Sequence, residues 1–300
     1  ALGSFVAAMA HDMTWIIVGR VIQGMGAVSS AVIACIADLT ADEHRTKAMA
    51  MVGGSIGISF AIAIVGAPIV YQWIGMNGLF ALVGVLSLLA VGVVLWVVPH
   101  APKPVHVRAP FAEVLQNVEL LRLNFGVLVL HATQTALFLV VPRILVAEGL
   151  PVASHWEVYL PVMGLSFVMM VPAIIAAEKR GKMKPVLCGA IGLILIGQLL
   201  LGTAPHTILS VAAILFVYFL GFNILEASQP SLVSKLAPGA RKGAAAGVYN
   251  TTQSIGLALG GIVGGWLMRS VGQNAVFFAC SGLVLGWLII AANMKPVRKA

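Results

Sequence analysis

Charge is scarce in this sequence. Lys and Arg number 18 and Asp and Glu 10 among 300 residues, 9% in all, where a soluble domain carries about 25%. With 60% hydrophobic residues and a mean hydropathy of +1.02, the chain reads as an all-α polytopic membrane protein. Cysteine is scarce too. Cys35, Cys188 and Cys280 lie far apart with no CxxC pair, which excludes a disulfide framework and leaves no metal site to expect; each reads as a small buried hydrophobe. There is no HExxH, the seven histidines are scattered, and no two carboxylates share an apolar run, so no enzyme and no cofactor are expected. The net charge of +8 does not point to nucleic acid, because the basic residues fall in short breaks between apolar runs.

What is present is a succession of those runs. Spans are expected near 15–37, 48–70, 78–98, 123–146, 157–177, 185–203, 207–228, 243–268 and 275–294, each about long enough to cross ~30 Å of hydrocarbon. Residues 1–10 read as the outer half of a helix whose beginning is missing. Alternate breaks hold Arg45 and Lys47; Lys103, Arg108 and Arg122; Lys179, Arg180, Lys182 and Lys184; Lys235, Arg241 and Lys242; and the tail Lys295, Arg298 and Lys299, which is fifteen of the eighteen basic residues. That side, with the C-terminus, is expected in the cytoplasm. Residues 99–122, the longest break, are expected to be a cytoplasmic linker between two bundles: its prolines hold the first half extended, and FAEVLQNVELL reads as one short surface helix. Two weakly related halves are also visible. SIG at 55–57 recurs at 254–256, and IVGA at 64–67 as IVGG at 262–265, at nearly the same offset.

A few polar residues stand inside the spans, where they are costly and mark function. Arg20 has no acidic neighbour and shares a helix face with Gln23, Gly24, Ala27 and Ala31. Asn124, His131, Gln134, Phe138 and Pro142 follow one stripe, with His131 able to exchange a proton near neutrality. Glu226 is the carboxylate placed in a span, alongside Tyr218, Asn223 and Gln229. Its position near the cytoplasmic end favours a gate or ion pair with Lys235, Arg241 or Lys242 over a proton carrier. Gly243, Gly247, Thr251, Ser254, Ala258, Gly261 and Gly265 form a small-residue stripe expected to let two helices approach closely; Asn250 and Gln253 lie beside it.

Several of these stretches resemble one family. GRVIQGMG at 19–26 is similar to the fourth-helix motif of the major facilitator superfamily of secondary transporters. GISFAIAIVGAP at 57–68, with Gly57, Gly66 and Pro68, resembles the fifth-helix motif of its drug–proton antiporters, although Ala67 separates Gly66 from Pro68. GFNILEASQPSLVSKLAP at 221–238, followed by RKGAAAG, resembles the tenth helix and its loop. The resemblance implies two six-helix bundles, the first truncated: helices three to six over 1–98, the linker 99–122, and helices seven to twelve over 123–300. About ten helices would be present, without the first two and without a C-terminal extra domain. It further implies alternating access in a bacterial cytoplasmic membrane, with the lipid bilayer, a small-molecule substrate and protons as partners and the proton gradient as energy source. A monomer that performs proton-coupled efflux is expected, the alternative being a transport-dead remnant or membrane sensor. Arg20, Gln23, His131, Gln134, Asn223, Asn250 and Gln253 are expected to line the substrate and proton cavity, and Glu226, Arg241 and Lys242 to form the cytoplasmic gate.

Overall fold

The computed structural model describes residues 1–26, 32, 35–36, 39–40, 42–99, 111–237 and 242–294; within these, the side chains of 42–50, 52–54, 56–57, 60–61, 111–113, 178–179 and 242 fall outside the description. Among the described residues the secondary structure is helical, with no strand. Two short helices, α1 (Leu2–Ala8) and α2 (Met13–Gly24), precede a long broken helix, α3 (Asp42–Trp96). Then come α4 (Phe111–Gln116), α5 (Val118–Ala147), a 3-10 turn (Val152–Ser154), α6 (Trp156–Lys179), α7 (Met183–Thr203), α8 (Ile208–Leu236), α9 (Lys242–Ser270) and α10 (Gln273–Ala292). Two compact units are formed, Ala1–His106 and Val107–Ala300.

In the first unit α1 and α2 meet backbone to backbone. A Cβ on Gly19 would lie 2.6 Å from the Gly3 carbonyl oxygen and 2.7 Å from the Ala7 nitrogen, so only glycine permits this approach. The Phe5 ring lies over Gly84 of α3, where a Cβ would be 2.9 Å from the ring. Asp12 caps α2 by accepting from the Trp15 amide at 3.0 Å, a cap worth about 1 kcal/mol. The helix therefore starts two residues before the expected Trp15. Within α3 the chain breaks at Gly75 (φ 64, ψ −173), a conformation open to glycine and strained for other residues. The break falls between the spans expected at 48–70 and 78–98.

The second unit is a six-helix bundle centred on α5, which packs on α9, α10 and α8; α7 packs on both α8 and α10, and α6 on α8. Asn117 opens α5: its Oδ1 accepts from the Glu119 and Leu120 amides at 3.0 and 3.3 Å. This corrects the single surface helix expected over FAEVLQNVELL. Asn117 ends α4 and begins α5, so residues 118–122 are the first turn of a span and not linker; residues 100–110 lie outside the described set. Arg122 in that turn donates to the Asn293 carbonyl at 2.7 Å and to Glu119 at 3.0 Å. A guanidinium on the terminal carbonyl of α10 also suits the negative end of that helix.

Six described helices are long and apolar enough to cross a membrane: Ile62–Trp96, Val118–Ala147, Val152–Ala177, Met183–Thr203, Ile208–Leu236 and Gln273–Ala292. The expected spans 15–37 and 48–70 run into residues outside the description. The expected span 243–268 is one helix, α9, but its glycines and its Thr251–Ser254 segment leave it less apolar than the six. Large apolar side chains are exposed along α3 and α6, among them Val94, Leu95, Trp96, Leu165, Val168 and Met169. Apolar surface of this extent calls for hydrocarbon around it.

The predicted small-residue stripe on α9 is corrected by the packing. Gly243, Gly247 and Gly265 have no atom of the described chain within 4 Å of a built Cβ, and Gly261 meets only Thr135 at 3.7 Å. The close contact belongs to Gly256, Gly260 and Gly264, seated on Leu128, Ala132 and Ala136 of α5. The paired residue numbers rise together, so the two helices run parallel. Both glycine sets repeat at helical spacing, and only the partner helix chooses between them.

Candidate functional site

The middle of α5 carries His131, thirteen residues after the helix start at Val118, about 20 Å along the axis. Its ring is 4% exposed, and each of its nitrogens is engaged. Nδ1 lies 3.1 Å from the Val127 carbonyl oxygen one turn back. Nε2 lies 2.8 Å from the side-chain nitrogen of Gln253 on α9 and 3.5 Å from Oε2 of Glu226 on α8. Phe222 closes one side, edge-on to the imidazole at 5.8 Å, with Tyr218 stacked on it at 6.4 Å. Tyr218 in turn lies 3.4 Å from the Thr133 hydroxyl. Three helices thus converge on one imidazole within an aromatic wall.

Glu226 faces both outward and inward. Its side chain is 42% exposed, yet Oε2 is buried with no hydrogen-bond partner among the described residues. Tyr249 on α9, one turn before Gln253, is within electrostatic reach of Glu226, and its buried hydroxyl also has no hydrogen-bond partner in the described set. A buried polar atom without a partner costs about 1–3 kcal/mol, and such atoms gather where protons or ligands are exchanged.

Glu226 pairs with His131 at 3.5 Å. It lies deeper along its helix than expected, because α8 does not end at 228 but continues through Pro230 to Leu236. Glu226 then lies ten residues, about 15 Å, from the helix end. Of the expected gate, Arg241 and the side chain of Lys242 lie outside the described residues.

Asn223 is 5% exposed and donates from Nδ2 to the Ser166 Oγ at 2.8 Å, while Ser166 donates to the Met163 carbonyl at 2.8 Å. It joins α8 to α6 inside the bundle. Gln134 and Asn250 are half-buried. Gln134 lies one turn beyond His131 on the same face, where Phe138 packs against Tyr159 and Phe219 at 5.7 and 5.9 Å.

In the first unit Arg20 is exposed on α2 and donates to Oε1 of Gln23, three residues on. Gly24 and Gly66 have open space where a Cβ would stand, and Pro68 is inside α3; the side chain of Gly57 is outside the described set. Among the described residues no group of His, Cys, Asp and Glu could hold a metal ion. Phe222 and Tyr249 were not singled out from the sequence. Each lies four residues before a polar partner of His131, and that spacing is the signal that places them on the same helix faces.

The profile of the Major Facilitator Superfamily matches residues 1–261. Inner membrane transport protein YajR of Escherichia coli (strain K12) is 40% identical to the chain, over 98% of the chain and 66% of the relative. An uncharacterized transporter of Buchnera aphidicola subsp. Acyrthosiphon pisum (strain APS), BU466, is 28% identical over 86% of the chain and 68% of its own length. Another, from Buchnera aphidicola subsp. Schizaphis graminum (strain Sg), is 28% identical over 98% and 77%. The chain thus spans about two thirds to three quarters of the length of these relatives.

Proposed function

The chain belongs to the major facilitator superfamily, and from that membership we propose that it acts as a secondary active transporter. It moves a small molecule across the bacterial inner membrane by alternating access, in exchange for protons. The observation that carries the proton coupling is the His131–Glu226 pair, an imidazole and a carboxylate 3.5 Å apart near the middle of a membrane-length helix. These groups exchange protons near neutral pH when their surroundings are tuned, and ionisable groups at that depth are kept for such work.

Glu226, partly exposed, takes a proton from water and shares it with the buried ring. Gln253 holds the ring in place, and Phe222 and Tyr218 keep water from its other side. Arg20, braced by Gln23 in the first unit, supplies a fixed positive charge for an anionic group of the substrate or for a carboxylate. The basic loops and the C-terminus face the cytoplasm. The protein works as a monomer in the lipid bilayer, without a bound cofactor and as a transporter and not an enzyme.

The test is transport by the full-length protein in proteoliposomes against a substrate panel, with and without an imposed pH gradient. Flux that follows the gradient supports the reading. Flux indifferent to the gradient removes the proton coupling, and no flux of any substrate favours a sensor or an inactive remnant.

A further inference from the structure

We propose that Gln253 and Glu226 are alternative partners of one His131 nitrogen, so that protonation transfers the imidazole's bond from α9 to α8. The proposal rests on the proton-coupled reading and gives it a moving part.

The geometry defines the unprotonated state. A carbonyl oxygen only accepts, so the 3.1 Å contact with Val127 means that Nδ1 carries a hydrogen. In the neutral ring Nε2 then holds a lone pair. The atom of Gln253 that faces it, at 2.8 Å, is the amide nitrogen, which only donates. Gln253 therefore hydrogen-bonds the neutral imidazole. Oε2 of Glu226, at 3.5 Å from the same Nε2, is beyond good hydrogen-bond range and has no other hydrogen-bond partner in the described set.

A second proton can enter the ring only at Nε2. It arrives through Glu226: the carboxylate takes a proton from water, and the resulting O–H gives it to the Nε2 lone pair. The O–H bond breaks as the N–H bond forms, leaving a carboxylate beside an imidazolium. The pair has gained one proton and changed from one negative charge to none. Once Nε2 carries hydrogen, the Gln253 N–H group opposes it, while the Glu226 carboxylate accepts it. A charge-assisted bond is roughly twice as strong as a neutral one, so the ring turns to α8 and α9 is released at this level.

Among the described residues, the other titratable side chains buried on the helices packed on α5 are Tyr218 from α8, Tyr249 from α9 and Cys280 from α10, and phenols and thiols ordinarily keep their protons at neutral pH. The fixed charges Arg143 and Arg269 lie near the ends of α5 and α9, and Lys235 near the end of α8. Gln253 is thus a positioning residue that acts through His131.

The full-length protein in lipid nanodiscs, labelled with 15N in its histidine rings, tests this directly; the His131 signals are those lost in His131→Gln. Gln253→Leu removes a bond to the neutral ring and should move the pH profile of Nε2 protonation to the alkaline side. Glu226→Gln removes the acceptor of the charged ring and should move it to the acidic side. Each displacement should be roughly half a pH unit or more. Gln253→Met serves as the same test should the leucine variant fail to fold. Displacement in opposite directions supports the exchange of partners. No displacement, displacement in one direction for both variants, or a Gln253 amide still bonded to the ring in acid would overturn it. Gradient-driven transport separates the two claims. If the wild type shows it but the variants do not diverge, the partner exchange fails and the coupling stands. If the variants diverge but no gradient drives transport, the coupled reading fails instead.

Discussion

Gly260 on α9 rests against the backbone of Ala132 on α5, the residue next to His131. A Cβ there would lie 2.7 Å from the Ala132 Cα. This contact sets how closely α9 approaches α5, and so whether Gln253 reaches the imidazole. Gly260→Ala should push the helices apart, at a cost of about 1–3 kcal/mol for overpacking, and weaken proton coupling as well as stability. Gly265→Ala, with no atom of the described chain within 4 Å, should leave the thermal midpoint in detergent nearly unchanged. Equal midpoints for the two variants would contradict the packing.

Asn223 is predicted to matter for stability and not for coupling. Asn223→Ala removes its 2.8 Å bond to Ser166, and hydrogen bonds between membrane helices average about 0.6 kcal/mol. A thermal midpoint lowered by a few degrees, with the pH dependence of transport unchanged, is the expected result. An altered pH profile would return Asn223 to the proton path.

Arg20 should carry a charge that transport needs. In the complete protein Arg20→Ala should abolish transport, and Arg20→Lys should recover part of it, because lysine keeps the charge but loses the planar fork that holds a carboxylate by two bonds. Normal transport by the alanine variant at equal expression would reduce Arg20 to a residue that merely reaches toward the membrane surface.

Topology is open to direct measurement. Reporters at Lys182 and Lys242 should be found on the cytoplasmic side and reporters at Ser154 and Asn274 on the outside. Any one of these on the opposite face would break the ordering of the spans.

Composition alone made the all-α membrane class legible, because so few charges leave no other solvent for the chain. His131 was legible too, as a polar residue on a lipid-length stripe. The depth of Glu226 was not. Hydropathy falls at Glu226, Ser228 and Gln229, which ended the expected span at 228, while tertiary packing carries α8 on to Leu236. The contact face of α9 was equally hidden, since Gly243 and Gly247 repeat at the same step as Gly256 and Gly260. The partner of Asn223 was hidden as well, because Ser166 lies fifty-seven residues away and no local pattern joins them.

The most direct test of the central claim compares wild type and His131→Gln in proteoliposomes, using a substrate that the full-length protein transports. Substrate binding is measured at equilibrium, and flux is measured with and without an imposed pH gradient. Coupling through His131 predicts that the variant still binds substrate but that its flux no longer responds to the gradient. Gradient-driven flux in His131→Gln equal to that of the wild type would contradict it.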